Sequence, residues 1–175
     1  MIIDTSAIVA ILRAEPGARR LAEVIEAAPV RRISAATCVE IGAVIDAGRD
    51  PVASRLVDEL LTTAAIVIEP VTADQAHIAR EAYRDFGKGS GHPAGLNFGD
   101  CFAYALAKVT GEPLLFKGDD FAHTDVASAW VRGIIEQALA DDRAGGDALD
   151  RLAQLSAPTG DVGDMLSEIE VGRGR

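Results

Sequence analysis

Short apolar, β-branched runs alternate along the chain with longer stretches in which apolar residues recur every three to four positions, the pattern of strands separated by amphipathic helices. Met1-Ile2-Ile3 is the first strand. It breaks at the polar turn Asp4-Thr5-Ser6, after which Ala7-Ile8-Val9-Ala10-Ile11-Leu12 reads as a helix. A second helix is expected from Pro16, a residue suited to a first helical turn, with Leu21, Val24 and Ile25 on its apolar face and Pro29 closing it. Arg32-Ile33-Ser34 reads as a strand, followed by a helix over 37–47 with Glu40 in its first turn and Gly48 as its stop. Pro51 opens a helix over 51–64, and Ala65-Ile66-Val67-Ile68 is a strand ended by Pro70. Thr72, with Gln75 three residues on, caps a helix through Ile78, Ala82 and Tyr83. A glycine-rich loop fills 87–97. Asn97-Phe98-Gly99-Asp100 then opens a helix over 101–109 that stops at Gly111, and Pro113-Leu114-Leu115-Phe116 forms a last strand running into Lys117-Gly118-Asp119-Asp120-Phe121.

Strands separated by helices throughout imply a mainly parallel sheet with crossover helices on both faces, an α/β fold of the three-layer α/β/α sandwich type. Sheets of this kind place their sites beyond the carboxyl ends of the strands. After about Trp130 the pattern changes to helical pieces broken at 142–147 and at Pro158-Thr159-Gly160, so the expected division is a domain at 1–131 and a helical tail at 132–175.

With 49% hydrophobic residues, a chain of 175 residues can bury one core and still carry a short appended segment. Cys38 and Cys101 fall inside apolar helical patterns at no metal-knuckle or redox spacing, and read as buried, reduced thiols. Asp4 interrupts the first apolar run and no later run approaches the roughly 20 residues that span a bilayer, so a cytoplasmic protein without membrane attachment is expected. The formal net charge of −10 excludes a surface that grips nucleic acid broadly; contact with phosphates has to be local, or built across an oligomer.

That charge draws attention to the acids. Asp4 follows the first strand, Asp119 follows the last, and Glu40 and Asp100 sit in helices that start at the same sheet edge. Each has a bland explanation in helix-dipole or turn preference. Together they form a self-repelling cluster that a bound cation would neutralise. Oxygen ligands without His or Cys favour Mg²⁺, or Mn²⁺, over zinc, and such a site suits phosphodiester hydrolysis. Asp4 and Asp100 are the expected metal ligands, Glu40 the group that orients or deprotonates water, and Asp119 the holder of a second ion or an outer water, with Asp120 beside it as an alternative.

Ile3-Asp4-Thr5-Ser6, Glu40 on its helix, Gly99-Asp100-Cys101 and the Leu114–Phe121 segment, in this order and spacing, resemble the PIN-domain ribonucleases of the VapC toxin family over roughly residues 1 to 130. The resemblance implies a Mg²⁺-dependent endoribonuclease toxin of a type II toxin–antitoxin system, acting on transfer or ribosomal RNA and usually homodimeric. It also implies Asp4, Glu40, Asp100 and Asp119 as the acidic quartet. The departure is at the fourth acid, where family members often have a Thr-containing stretch and this chain reads Phe116-Lys117-Gly118.

Other signals are weaker. A haloacid-dehalogenase phosphatase would need an acid where Ser6 stands, and a dinucleotide binder would need a glycine-rich turn where Asp4-Thr5-Ser6-Ala7 supplies none. His77, His92 and His123 are too scattered to form a ligand set, with His77 on a solvated helix face. The loop Lys88-Gly89-Ser90-Gly91-His92-Pro93, with Arg80 and Arg84 before it, is either a contact for RNA phosphates or a solvated loop; Lys117 is either a substrate contact or a salt-bridge partner.

The tail at 132–175 holds five Arg and nine acids, net −4, so it is no basic RNA-binding arm. Leu149, Leu152 and Leu155, then Met165, Leu166 and Ile169, mark two short amphipathic pieces that need docking to be stable. This segment, ending Gly172-Arg173-Gly174-Arg175, resembles the C-terminal part of VapB antitoxins, which implies that Arg173 or Arg175 could enter the acidic pocket and oppose metal. A second class of reading stays open beside the enzyme: a PIN-like binding or regulatory module whose catalysis is masked or absent.

Overall fold

The computed structural model describes residues 1–130. The expected tail at 132–175, with Arg173 and Arg175, lies outside the described residues. Within them the order is β1 (Ile2–Ile3), α1 (Thr5–Leu12), α2 (Ala18–Ala27), β2 (Arg32–Ser34), α3 (Ala35–Asp46), α4 (Pro51–Thr63), β3 (Val67–Glu69), α5 (Ala73–Phe86), α6 (Asp100–Thr110), β4 (Leu114–Leu115) and a 3-10 turn at Asp120–His123. The strands form one sheet in the order β3-β2-β1-β4, with every pairing parallel.

Successive side chains of a strand point to opposite faces, and β1 and β4 use this to feed two cores. Ile3 and Leu115 join Ile8, Ile11, Leu21, Ile25, Ile41, Leu56 and Leu60 on the side of α1 to α4. Ile2 and Leu114 join Leu96, Leu106 and Phe116 on the side of α5 and α6. The sheet is therefore covered on both faces, as the three-layer α/β/α expectation required.

Several boundaries differ from those expected, each for a local reason. Pro16 lies ahead of α2, whose cap is Gly17 at φ 91°, a conformation open to glycine at little cost. The strand expected at 65–68 shifts to Val67–Glu69, because Ala64 to Ile66 are still tied back to the end of α4. Helix α3 begins at Ala35, not 37, because the Ser34 side chain accepts a hydrogen bond from the Ala36 N–H and caps it. Glu40 therefore stands in the second turn of α3, and the expectation of a first-turn position is corrected. The first-turn preference set by the helix dipole therefore does not account for an acid at this position. Cys101 is buried, whereas Cys38 is only partly so. Among the described residues no helix is long and apolar enough to cross a membrane.

Candidate metal and acid site

Strand order reverses direction of growth between β1 and β4, which makes the crevice beyond their carboxyl ends the natural site of the sheet. Asp4 closes β1 there. It is buried at 2% exposure and caps α1, its Oδ2 accepting from the Ser6 N–H at 2.8 Å and the Ser6 hydroxyl at 2.6 Å. Ser6 Oγ in turn accepts from the Lys117 N–H at 2.9 Å, so the segment after β4 sets the Asp4 carboxylate through one hydroxyl. The other oxygen, Asp4 Oδ1, is buried and has no hydrogen-bond partner among the described residues.

Asp100 reaches the same place from α6. Its Oδ2 accepts from the Asn97 N–H at 2.6 Å while its own N–H donates to Asn97 Oδ1 at 3.0 Å, a reciprocal pair that fixes the entry to the helix. Glu40 arrives from α3. Thr5 donates its hydroxyl to Glu40 Oε2 at 2.5 Å, and the carboxylate lies against Gly99, where an added Cβ would stand 2.1 Å from Glu40 Oε1. Gly99 is thus the absence of a side chain that lets Glu40 in.

The electrostatics agree with this geometry. The Asp4 carboxyl is raised from 3.8 to about 7, first by burial and then by the charges of Asp100 and Glu40, against the lowering effect of the Ser6 hydrogen bonds. Asp100 is raised too, by burial first, with Glu40 and Asp120 adding to it and Lys88 opposing. For the fourth acid, Asp119 and Asp120 are both exposed at the start of the 3-10 segment, and of the two it is Asp120 whose charge adds to the rise of Asp100. Lys117 ion-pairs with Glu15 at 2.6 Å, the salt-bridge alternative of the sequence reading.

Do these residues fit a divalent ion? Among the described residues no three acidic, His or Cys side chains are placed to cage one as they stand. Asp4 and Asp100 offer two carboxylates, however, and Mg²⁺ commonly takes one or two with waters completing its shell. A buried carboxylate oxygen with no donor is the vacancy in bonding that a cation satisfies. The donor set fits. Thr5 and Gly99 meet Glu40 from distant segments, whereas Ser6 and Asn97 hold Asp4 and Asp100 from two and three residues away.

Comparison with known proteins follows the same lines. The PIN domain profile matches residues 1–127. Over 132 residues the chain is 60% identical to Ribonuclease VapC28 of Mycobacterium tuberculosis, an alignment covering 75% of this chain and 99% of that protein. It is 57% identical over 129 residues to Ribonuclease VapC42 of the same species, and 52% identical over 128 residues to Ribonuclease VapC30, covering 74% and 73% of this chain and 98% and 97% of those proteins.

Proposed function

The chain belongs to the PIN-domain family of VapC ribonucleases, and from that premise we propose that it is a divalent-metal-dependent endoribonuclease toxin, hydrolysing phosphodiester bonds of RNA. The observation that carries the metal reading is the bare, buried Oδ1 of Asp4 beside two further carboxylates. Asp4 and Asp100 would hold the ion, Mg²⁺ or Mn²⁺. When bound, the ion supplies a polarised water and a positive charge opposite the scissile phosphate.

The chain's own groups do the rest. Ser6 holds Oδ2 of Asp4, which leaves Oδ1 for the ion, and the Asn97 N–H holds Oδ2 of Asp100. Glu40, held by Thr5, takes a proton from the attacking water or orients it. The fourth acid is assigned to Asp120 in place of Asp119, supported by its charge acting on Asp100. Transfer and ribosomal RNA are the substrate classes that the sequence resemblance implies.

The test is direct. Asp4→Asn and Asp100→Asn should each abolish metal-dependent RNA cleavage and weaken Mn²⁺ binding in calorimetry, and Asp120→Asn should cost more activity than Asp119→Asn. Unchanged cleavage in Asp4→Asn sinks the enzyme reading.

Two partner assignments complete the proposal. A homodimer is supported by the apolar side chains Val67 and Ile68, exposed at 46% and 49% on the free edge strand β3. Residues 132–175 are proposed as an inhibitory, antitoxin-like segment with Arg173 and Arg175 as its pocket ligands. Its support is that the matched VapC28 is covered almost end to end while a quarter of this chain remains outside the alignment.

A further inference from the structure

The loop between α5 and α6 is a built structure. Gly87 and Leu96 pair as a bridge, the Lys88 N–H donates to Leu96 O and the Leu96 N–H to Phe86 O, both at 2.9 Å. Leu96 and Ala94 are buried. His92 accepts from the Ala94 N–H through Nδ1 at 3.2 Å, with its ring edge-on to Phe86 at 4.9 Å. The backbone thus holds Lys88 beside Leu96-Asn97, immediately ahead of Phe98-Gly99-Asp100.

Two exposed side chains stand at the ends of this loop. Phe98 is 74% exposed, its only ring contact among the described residues being edge-on to Phe102 at 5.0 Å. It directly precedes the glycine that touches Glu40. Lys88 is close enough to Asp100 to oppose the rise of its pKa, yet among the described residues its ammonium has no ion-pair partner. That sets it apart from Lys117 on Glu15, Lys108 on Asp125 and Arg84 on Asp85.

We propose that Lys88 and Phe98 form a nucleotide platform beside the acid site, Lys88 contacting a backbone phosphate and Phe98 stacking an unpaired base of single-stranded RNA. The proposal rests on the ribonuclease reading and deepens it. An acidic chain that takes RNA needs a local cation near the reacting phosphate, and exposed aromatics beside a cation are how proteins hold single strands without reading sequence.

The experiment uses the full-length protein and a fluorescein-labelled, mixed-sequence single-stranded RNA, with affinity followed by anisotropy in EDTA across a salt series and cleavage followed with Mg²⁺. Phe98→Ala should weaken binding roughly five- to hundredfold, while Phe98→Trp retains it. Lys88→Gln should reduce the slope of log affinity against log salt by about 0.7, one phosphate on a single strand. Both should raise KM with little change in kcat, and neither should move the melting temperature. Phe98→Leu binding as tightly as wild type overturns stacking. An unchanged salt slope in Lys88→Gln overturns the phosphate contact. Phe98→Ala altering protomer association in sedimentation while RNA affinity stays the same makes this a protein interface and overturns the platform. If the wild type cleaves RNA but the variants match it, the platform alone fails; if the wild type neither binds nor cleaves, the ribonuclease reading fails with it.

Discussion

The two oxygens of Asp4 live in different surroundings, Oδ2 held by Ser6 and Oδ1 buried without a donor among the described residues, and this has a measurable consequence for stability. With the folded pKa near 7 and the ordinary value at 3.8, the folded metal-free chain keeps a proton between those limits that the unfolded chain has lost. Unfolding therefore releases a proton there, and stability falls as pH rises from about 4 to about 7, by at most a few kcal/mol. Asp4→Asn should flatten that dependence and raise the neutral-pH melting temperature of metal-free protein. Mg²⁺ or Mn²⁺, binding the ionised form, should stabilise the wild type more at pH 8 than at pH 5. A scanning-calorimetry series showing no difference between wild type and variant would remove the buried-carboxylate account. Gly99 offers a second test at this scale. Its backbone is helical (φ −65°, ψ −43°), so alanine costs no strain there, but the new methyl would displace the Glu40 carboxylate. Gly99→Ala should lower kcat at least tenfold with a near-native melting temperature; full activity would mean that Glu40 need not sit where it does.

At the scale of elements, polar side chains join pieces that the hydrophobic pattern only arranges. Arg31, just ahead of β2, donates to Ile25 O and Glu26 O at the end of α2, at 2.6 and 2.9 Å, and to Ala64 O at the end of α4, at 3.0 Å. One guanidinium thus satisfies the exposed carbonyls of two helices, and its charge faces the negative ends of both dipoles. Arg31→Met, which keeps much of the stem but no donors, should cost about 1–3 kcal/mol in urea unfolding. Arg31→Lys should recover little, because an ammonium cannot span three carbonyls in two directions. Next to it, Arg32 links Glu69, the last residue of β3, to Glu112 ahead of β4, which also receives the N-terminal ammonium. At the end of α5 the chain needs Gly87 for a steric reason: a Cβ there would lie 2.2 Å from the Tyr83 carbonyl oxygen.

For the whole molecule, the testable consequences concern what covers the domain. If β3 is the dimer edge, Ile68→Glu should convert the protein to a monomer in sedimentation equilibrium without unfolding it, since the side chain is half exposed. A chain ending after residue 131 should cleave RNA faster than the full chain if the remaining residues inhibit; equal rates would dispose of that role.

Much of this protein was legible from its sequence because the relevant signals are local. Alternating runs and caps sufficed for a parallel α/β sandwich, and the order of Asp4, Glu40 and Asp100 sufficed to place three acids at one edge. Such features depend on which residues are near one another in the chain. Tertiary structure alone decided the Ser6 link from Lys117 to Asp4, the room at Gly99 and the charge of Asp120 on Asp100. Each of these joins segments tens of residues apart or turns on which of two adjacent acids comes close. Periodicity carries no such information, because the distance between side chains on different elements is set by packing. The acids were visible in the sequence; the buried Asp4 oxygen without a partner among the described residues appeared only in the fold.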